Sequence, residues 1–406
     1  MLAGRAEIMS KVCSIFFFEG YVGVAPTIVN TSKILDSSGY YVTIYGNKND
    51  CSTSPGYLGE RVKSISFRKA ARIMAFLKKR VPDWVPLLEL MIYTFQCAIH
   101  LASHPNGRTK VNIGVDIYGA VAALICGGIF RQKFLFLSLE LHEPEYRHRG
   151  PSKIIASLGK LAYKKSEGLV IQDEDRFKTF CQYYGYKHPR VFYLPNSTLA
   201  TQPAPQAVQG NYFREKFNLS QEQYPYIILQ AGMICDAVYS SALAQAFASI
   251  DKCALIFHDR QARREEDPDI KFLRQINSKN LFLSLEPLPY DQVDRIYTAP
   301  TIGLAFYADL GNNYAQISMA SGKLPQYLKH GKPVLVSNLP SLSKLVDRYQ
   351  CGLAIKDPSD RQEIQAALDR ILSDYETYSN NAKACFAAEF DFSKKMEPVL
   401  YFMNYL

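Results

Sequence analysis

Residues 321–337 read SGKLPQYLKHGKPVLVS, a loop and helix start that lead into a buried strand. A helix start leaves backbone N–H groups free and carries a partial positive charge, and a lysine there adds a full one. Ser321, Gly322 and Lys323 therefore compose a natural diphosphate site, approached by the irregular run at 309–314. A second group follows an apolar strand at 134–139, so Glu140 and His142 are expected to emerge at a strand end, where an acid or base meets a substrate. Glu140 orients His142, binds acceptor hydroxyls or simply structures its loop. His142 is either functional or a hydrogen-bonded loop histidine. The pair His142-Glu143 does not extend to a zinc-binding HExxH, because Tyr146 stands where the second histidine is needed and Pro144 breaks the helix. Asp173-Glu174-Asp175 follows a strand and opens a helix, where acidic residues stabilise the first turn, so no metal is assigned to it. Gly20 and Gly23 permit a tight turn with close approach of a substrate, or plain strand–helix packing.

These residues need a scaffold, and apolar strands alternating with helices supply it. Strands are expected at 12–18, 41–45, 111–115, 134–139, 169–172 and 190–194, with a first helix from Pro26 to near Gly39. After residues 198–210, TLATQPAPQAVQG, a second alternation places strands at 226–230, 253–258, 281–284, 302–306, 333–337 and 353–355. That uncharged stretch with two prolines is the best linker. The fold class is α/β, with two mostly parallel sheets in two lobes. Ligands of such sheets sit beyond the carboxyl ends of the strands, which places the chemistry in the cleft between the lobes.

Composition agrees with two domains: 406 residues, 48% hydrophobic and 21% charged. The nine cysteines are scattered singly, without CxxC or Cys/His ligand spacing, and read as reduced structural thiols. Arg5 and Glu7 interrupt the first apolar residues, so export is not expected. The most apolar window, 84–102, contains Pro86, Glu89, Gln96 and His100 and is not expected to span a membrane. Residues 61–80 hold eight Lys/Arg and no Asp/Glu, with Ile65, Phe67, Ile73, Met74, Phe76 and Leu77 interleaved. They read as a solvated basic helix face over an apolar stripe, or as a segment lying on anionic lipid. No nucleic-acid-binding motif is present.

Several segments carry a family resemblance. GKPVLVSNLPSL at 331–342 with the helix before it, EPLPYDQVDRIYTAP at 286–300, EGLVIQDEDRF at 167–177, VFYLPNS at 191–197 and the final FDFSKKMEPVLYFMNYL at 390–406 together resemble the retaining family-four (group 1) glycosyltransferases of the two-lobed GT-B fold. The resemblance implies two Rossmann-like lobes, with residues 1–197 plus a crossing helix at 390–406 on the acceptor side and 198–389 on the donor side. It implies that His142 stands where a histidine contacts the transferred sugar, and that 286–300, with Leu288, lies beside the nucleotide base. Two departures follow. The family's two glutamates eight positions apart are Ser318 and Gln326 here, leaving Gln326 to hydrogen-bond ribose hydroxyls. The basic residue usual after the first strand of the second lobe is absent from 231–250, where Asp236 stands, leaving Lys323 or Arg260 to supply that charge.

The expected activity is transfer of a sugar from a nucleotide-diphosphate donor to a sugar or lipid-linked acceptor, in polysaccharide or glycoconjugate assembly. The nucleotide sugar is a co-substrate, and no further cofactor or metal is required. Retention is implied by the resemblance, and an inverting route with Glu140 or His142 as base stays open. The expected location is cytoplasmic, with peripheral contact to the inner face of a membrane. The alternatives are a non-catalytic nucleotide-sugar-binding relative and a sugar-nucleotide epimerase on the same fold.

Overall fold

The computed structural model describes residues 11–47, 54–67, 77–103, 111–141, 150–200 and 210–406. Thirteen strands among them form two sheets. The first has the order β3-β2-β1-β4-β5-β6-β7 and the second β10-β9-β8-β11-β12-β13, and every neighbouring pair is parallel. In the first sheet these are β1 (Lys11–Phe16), β2 (Tyr40–Asn47), β3 (Val62–Phe67), β4 (Val111–Val115), β5 (Lys133–Leu137), β6 (Gly168–Ile171) and β7 (Val191–Tyr193). In the second they are β8 (Tyr226–Gly232), β9 (Cys253–Asp259), β10 (Leu281–Ser284), β11 (Ile302–Ala305), β12 (Val334–Ser337) and β13 (Gly352–Ile355).

Parallel strands need crossover helices, which cover both faces and bury strand side chains on both. In the first lobe, Cys13 and Ile15 of β1 face the helices Pro26–Ser37 and Phe392–Tyr405. Phe16 faces the layer made by Val85–Ser103, Asp116–Phe130, Gly150–Lys165 and Glu174–Tyr184. Close packing there depends on Gly119, since a Cβ at that position would lie 2.1 Å from the Phe16 carbonyl oxygen. Gly20 has φ +74 and lies against β2, where a Cβ would come within 2.0 Å of the Asn47 oxygen. Gly20 thus serves a tight turn packed against strand β2, not the strand–helix packing expected for it.

The chain crosses between the lobes twice at one place. Ser197 donates its hydroxyl to the Phe390 carbonyl, and the Phe392 N–H donates to Thr198 O at 3.3 Å. From there the last helix returns to the first lobe, where Phe392, Met396, Val399 and Met403 are buried in its core. Most of the linker stretch, 201–209, lies outside the described residues.

One element departs from the sequence expectation. Val62–Phe67, inside the basic segment, is the edge strand β3 rather than a helix face, pairing with β2 from Val42 to Asn47. Its Val62, Ile65 and Phe67 are partly buried while Lys63, Ser64 and Ser66 are exposed. Charged residues on an edge discourage pairing with another chain, so basic composition and strand structure are compatible. Residues 68–76 of that segment lie outside the described residues. The eight described cysteines are all free thiols.

Candidate functional site

The carboxyl ends of both sheets face one interlobe cavity of about 550 Å³. Eight of the residues singled out in the sequence line it: Gly23, Glu140, Arg260, Leu288, Ser321, Gly322, Lys323 and Gln326. Gly20 does not, and His142 lies outside the described residues.

Lys323 is the central group. It stands before a helix of six residues, Leu324–Lys329, too short for a strong dipole, so its own charge must carry an anion site. Its side chain is only 7% exposed and lies over the Tyr307 ring, with Nζ 4.7 Å from the centroid. Among the described residues the ammonium has no hydrogen-bond partner. Burial, with the nearby Arg260 charge adding to it, pulls its pKa down from 10.5 to about 7. The Gly232 backbone at the end of β8 approaches it, since a Cβ there would lie 3.9 Å from Lys323 Cε and 4.0 Å from Nζ. The positive charge missing from the loop after β8 is therefore delivered to the same strand end from another element.

Arg260 follows β9 and is fixed to the same place by its N–H, which donates to Gly232 O at 2.7 Å. The Asp259 carboxylate beside it accepts from the backbone of Gln261 at 2.9 Å and Ile234 at 3.1 Å and pairs with Arg263 at 3.2 Å. His258 bonds Ser284 through Nδ1 at 2.9 Å, and burial drops its pKa to about 3, so it is neutral.

Ser321 accepts the Leu324 N–H at 3.2 Å and lies 2.6 Å from the Tyr307 hydroxyl. Its hydroxyl shapes the turn that carries Lys323. Gln326 is buried with Oε1 unpaired, and its side chain also interacts with the Tyr290 hydroxyl. Tyr290 in turn accepts the Asn30 amide at 2.9 Å, which ties this second-lobe turn to the first lobe. Leu288, Val293, Ile296 and Tyr297 form an apolar wall beside Gln326. Tyr327 fixes the end of β8, donating to Leu229 O at 2.8 Å and accepting the Ala231 N–H at 3.0 Å.

Glu140 sits at the opposite rim, and Asp116 positions its backbone. Asp116, at φ 52, accepts the N–H groups of Leu139 at 2.7 Å and Glu140 at 3.1 Å. The Glu140 carboxylate accepts from Asn313 Nδ2 at 2.6 Å, across the cleft. Asn313 Oδ1 in turn accepts from the Leu141 N–H at 3.2 Å and from Arg176 Nη2 at 2.8 Å. Arg176 is fully buried and also donates to Gln172 Oε1 and to the carbonyls of Leu139, Asn313 and Gln316. Burial lowers its pKa, opposed by the charges of Glu140, Asp173 and Asp116. Asp173 itself caps the helix Glu174–Tyr184, accepting the Arg176 N–H at 2.8 Å.

The sequence reading missed Arg176, Asn313, Asp116 and the tyrosines at 290, 297 and 307. Arg176 drew no notice because the second-lobe groups it bonds, on Asn313 and Gln316, lie 137 and 140 positions away. Lone tyrosines in apolar runs give no sign that they surround a buried lysine.

No protein-family model matches the chain, and no curated protein sequence matches it. Solved structures do. Sucrose-phosphate synthase from Thermosynechococcus elongatus superposes with a TM-score of 0.68 at 13% identity, over 97% of this chain and 99% of that one. HepE from Anabaena, solved with UDP-glucose, gives 0.68 at 12% identity over 98% and 100%. A putative UDP-N-acetylglucosamine 2-epimerase from Listeria monocytogenes gives 0.61 at 13% over 98% and 96%. At such identities the likeness defines architecture, and the chain has the two-lobed GT-B fold with Rossmann-like halves.

Proposed function

We propose that this protein is a glycosyltransferase that moves a sugar from a nucleoside-diphosphate donor to an acceptor hydroxyl. The observation that carries the reading is the Lys323 ammonium, buried and without a hydrogen-bond partner among the described residues, at the cleft end of the second sheet. Burying an unpaired cation costs free energy, and a diphosphate anion offsets that cost. Residues 198–389 form the donor lobe in this reading, and residues 1–197 with 390–406 the acceptor lobe.

Lys323 and Arg260 hold the diphosphate as it leaves, stabilising charge that grows in the transition state. Ser321 and Gly322 form the turn under it, Gln326 bonds the ribose, and the Leu288 wall packs on the base. Glu140, held by Asn313, meets the acceptor or transferred sugar, and His142 is assigned, from the family resemblance, to contact the transferred sugar. Gly23, in the turn Val22–Val24 before the first helix, lines the acceptor side. Two protein cations at the leaving group make added metal unnecessary, so turnover is expected to persist in a chelator. The acceptor is a sugar or lipid-linked hydroxyl, met at the cytoplasmic side of a membrane.

The test is product analysis with UDP-, GDP-, ADP- and dTDP-sugars, with and without a crude glycan and lipid acceptor fraction. Acceptor-dependent release of nucleoside diphosphate and a sugar-labelled acceptor support the proposal. Conversion of the donor sugar without any acceptor supports the epimerase reading, which the likeness to the Listeria structure motivates. Donor binding without either reaction identifies a non-catalytic relative.

A further inference from the structure

The helix Val85–Ser103 is apolar nearly all round, which is the pattern of a buried helix. Yet only one face of it is buried. Leu87, Leu90, Tyr93 and Cys97 enter the first-lobe core, and Tyr93 donates to Tyr45 O at 2.9 Å. On the other face Met91, Phe95 and Ile99, spaced four apart, are 59%, 66% and 52% exposed. Trp84, just before the helix, is 48% exposed. Residues Pro82–Ser103 are long and apolar enough to cross a bilayer, but the face packed into the lobe keeps this helix from spanning one.

Two neighbouring helices of the same layer continue this surface. Asp116–Phe130 exposes Ile125 and Ile129, and Gly150–Lys165 exposes Ile154 and Leu161. An exposed apolar surface spread over three packed helices marks an interaction site. Its charge identifies the partner. Lys78, Lys79 and Arg80 precede Trp84, and Lys153, Lys160, Lys164 and Lys165 are all exposed on a helix without Asp or Glu. A second copy bound through the same patch would bring these cations face to face.

We propose that the outer face of these three helices docks on an anionic lipid bilayer. Phe95, Met91, Ile99 and Trp84 enter the headgroup region, and the lysines meet lipid phosphates. The basic stretch at 61–80 is not a continuous helix face, because Val62–Phe67 is the edge strand β3. The helices Val85–Ser103 and Gly150–Lys165 begin at the cleft end of their sheet, so this orientation sets the acceptor side of the cavity beside the lipid surface. The docking surface does not depend on the sugar-transfer reading.

Trp84 is the chain's single tryptophan, so its emission reports this surface without any mutation. The experiment adds nucleotide-free protein to phosphatidylcholine vesicles with and without phosphatidylglycerol, and repeats it with acyl chains brominated. Binding is expected only to the anionic vesicles, with a blue shift of Trp84 and quenching by bromine. Met91→Ser/Phe95→Ser/Ile99→Ser and Lys153→Glu/Lys160→Glu should each weaken binding roughly tenfold or more. Three results would overturn the proposal: no vesicle binding, binding with Trp84 emission unchanged, or a dimer in sedimentation velocity that the serine variant dissociates while vesicles are ignored.

Discussion

Lys323 pairs two unfavourable properties, burial and the lack of a partner, and both are relieved by an anion. Its pKa of about 7 in the free protein fixes the sign of a pH effect. Below that value the ammonium is already formed. Above it, a bound diphosphate must draw a proton on to the amine, so affinity falls with rising pH by up to about tenfold per unit. Calorimetric titrations of UDP between pH 7 and 9 check this, and in Lys323→Met the slope should vanish. Asn313 offers a second residue-scale prediction. Asn313→Ala removes the donor to Glu140 and two contacts of its side-chain oxygen. Turnover is expected to fall far more than UDP affinity, with about 1 kcal/mol lost in stability. Arg176→Met leaves several buried acceptors unpaired across the lobes and should cost about 3 kcal/mol or more, read by denaturant unfolding. Lys323 was legible because SGKL precedes a recognisable helix and strand. Arg176 was not, because burial of a charge is decided by groups distant in sequence.

At the scale of elements, the alternation of apolar strands and helices was legible because buried parallel strands are apolar on both faces. Twelve of the thirteen strands were anticipated, and the exception, β3, shows why one was lost. An edge strand is half exposed, so Lys63, Ser64 and Ser66 diluted its pattern and the basic run invited a helical reading. The contact of the helix Asp116–Phe130 with β1 is an element-scale claim with a direct test. Gly119→Ala places a methyl group against the Phe16 carbonyl, which belongs to a paired strand and cannot retreat. A loss of about 1–3 kcal/mol is expected, seen as a lower denaturant midpoint with unchanged slope.

For the whole molecule, the two lobes meet through the paired crossings at Ser197 and Phe390 and through the Arg176–Asn313–Glu140 network. The two-lobe division was visible in the sequence as a change of composition near the linker, whereas the network was invisible because Glu140 was singled out without Arg176 and Asn313, its distant partners. Lys323, Arg260 and Gln326 from one lobe and Glu140 from the other reach one cavity only because both sheets present their carboxyl ends to it. The central claim, that this cavity binds a nucleoside diphosphate through Lys323, is tested most directly by calorimetric titration of UDP and of uridine into the wild-type protein and Lys323→Met. The expected result is that the substitution weakens UDP by roughly tenfold or more while uridine is unchanged. Equal losses for both ligands, or UDP binding that survives the substitution intact, would contradict it.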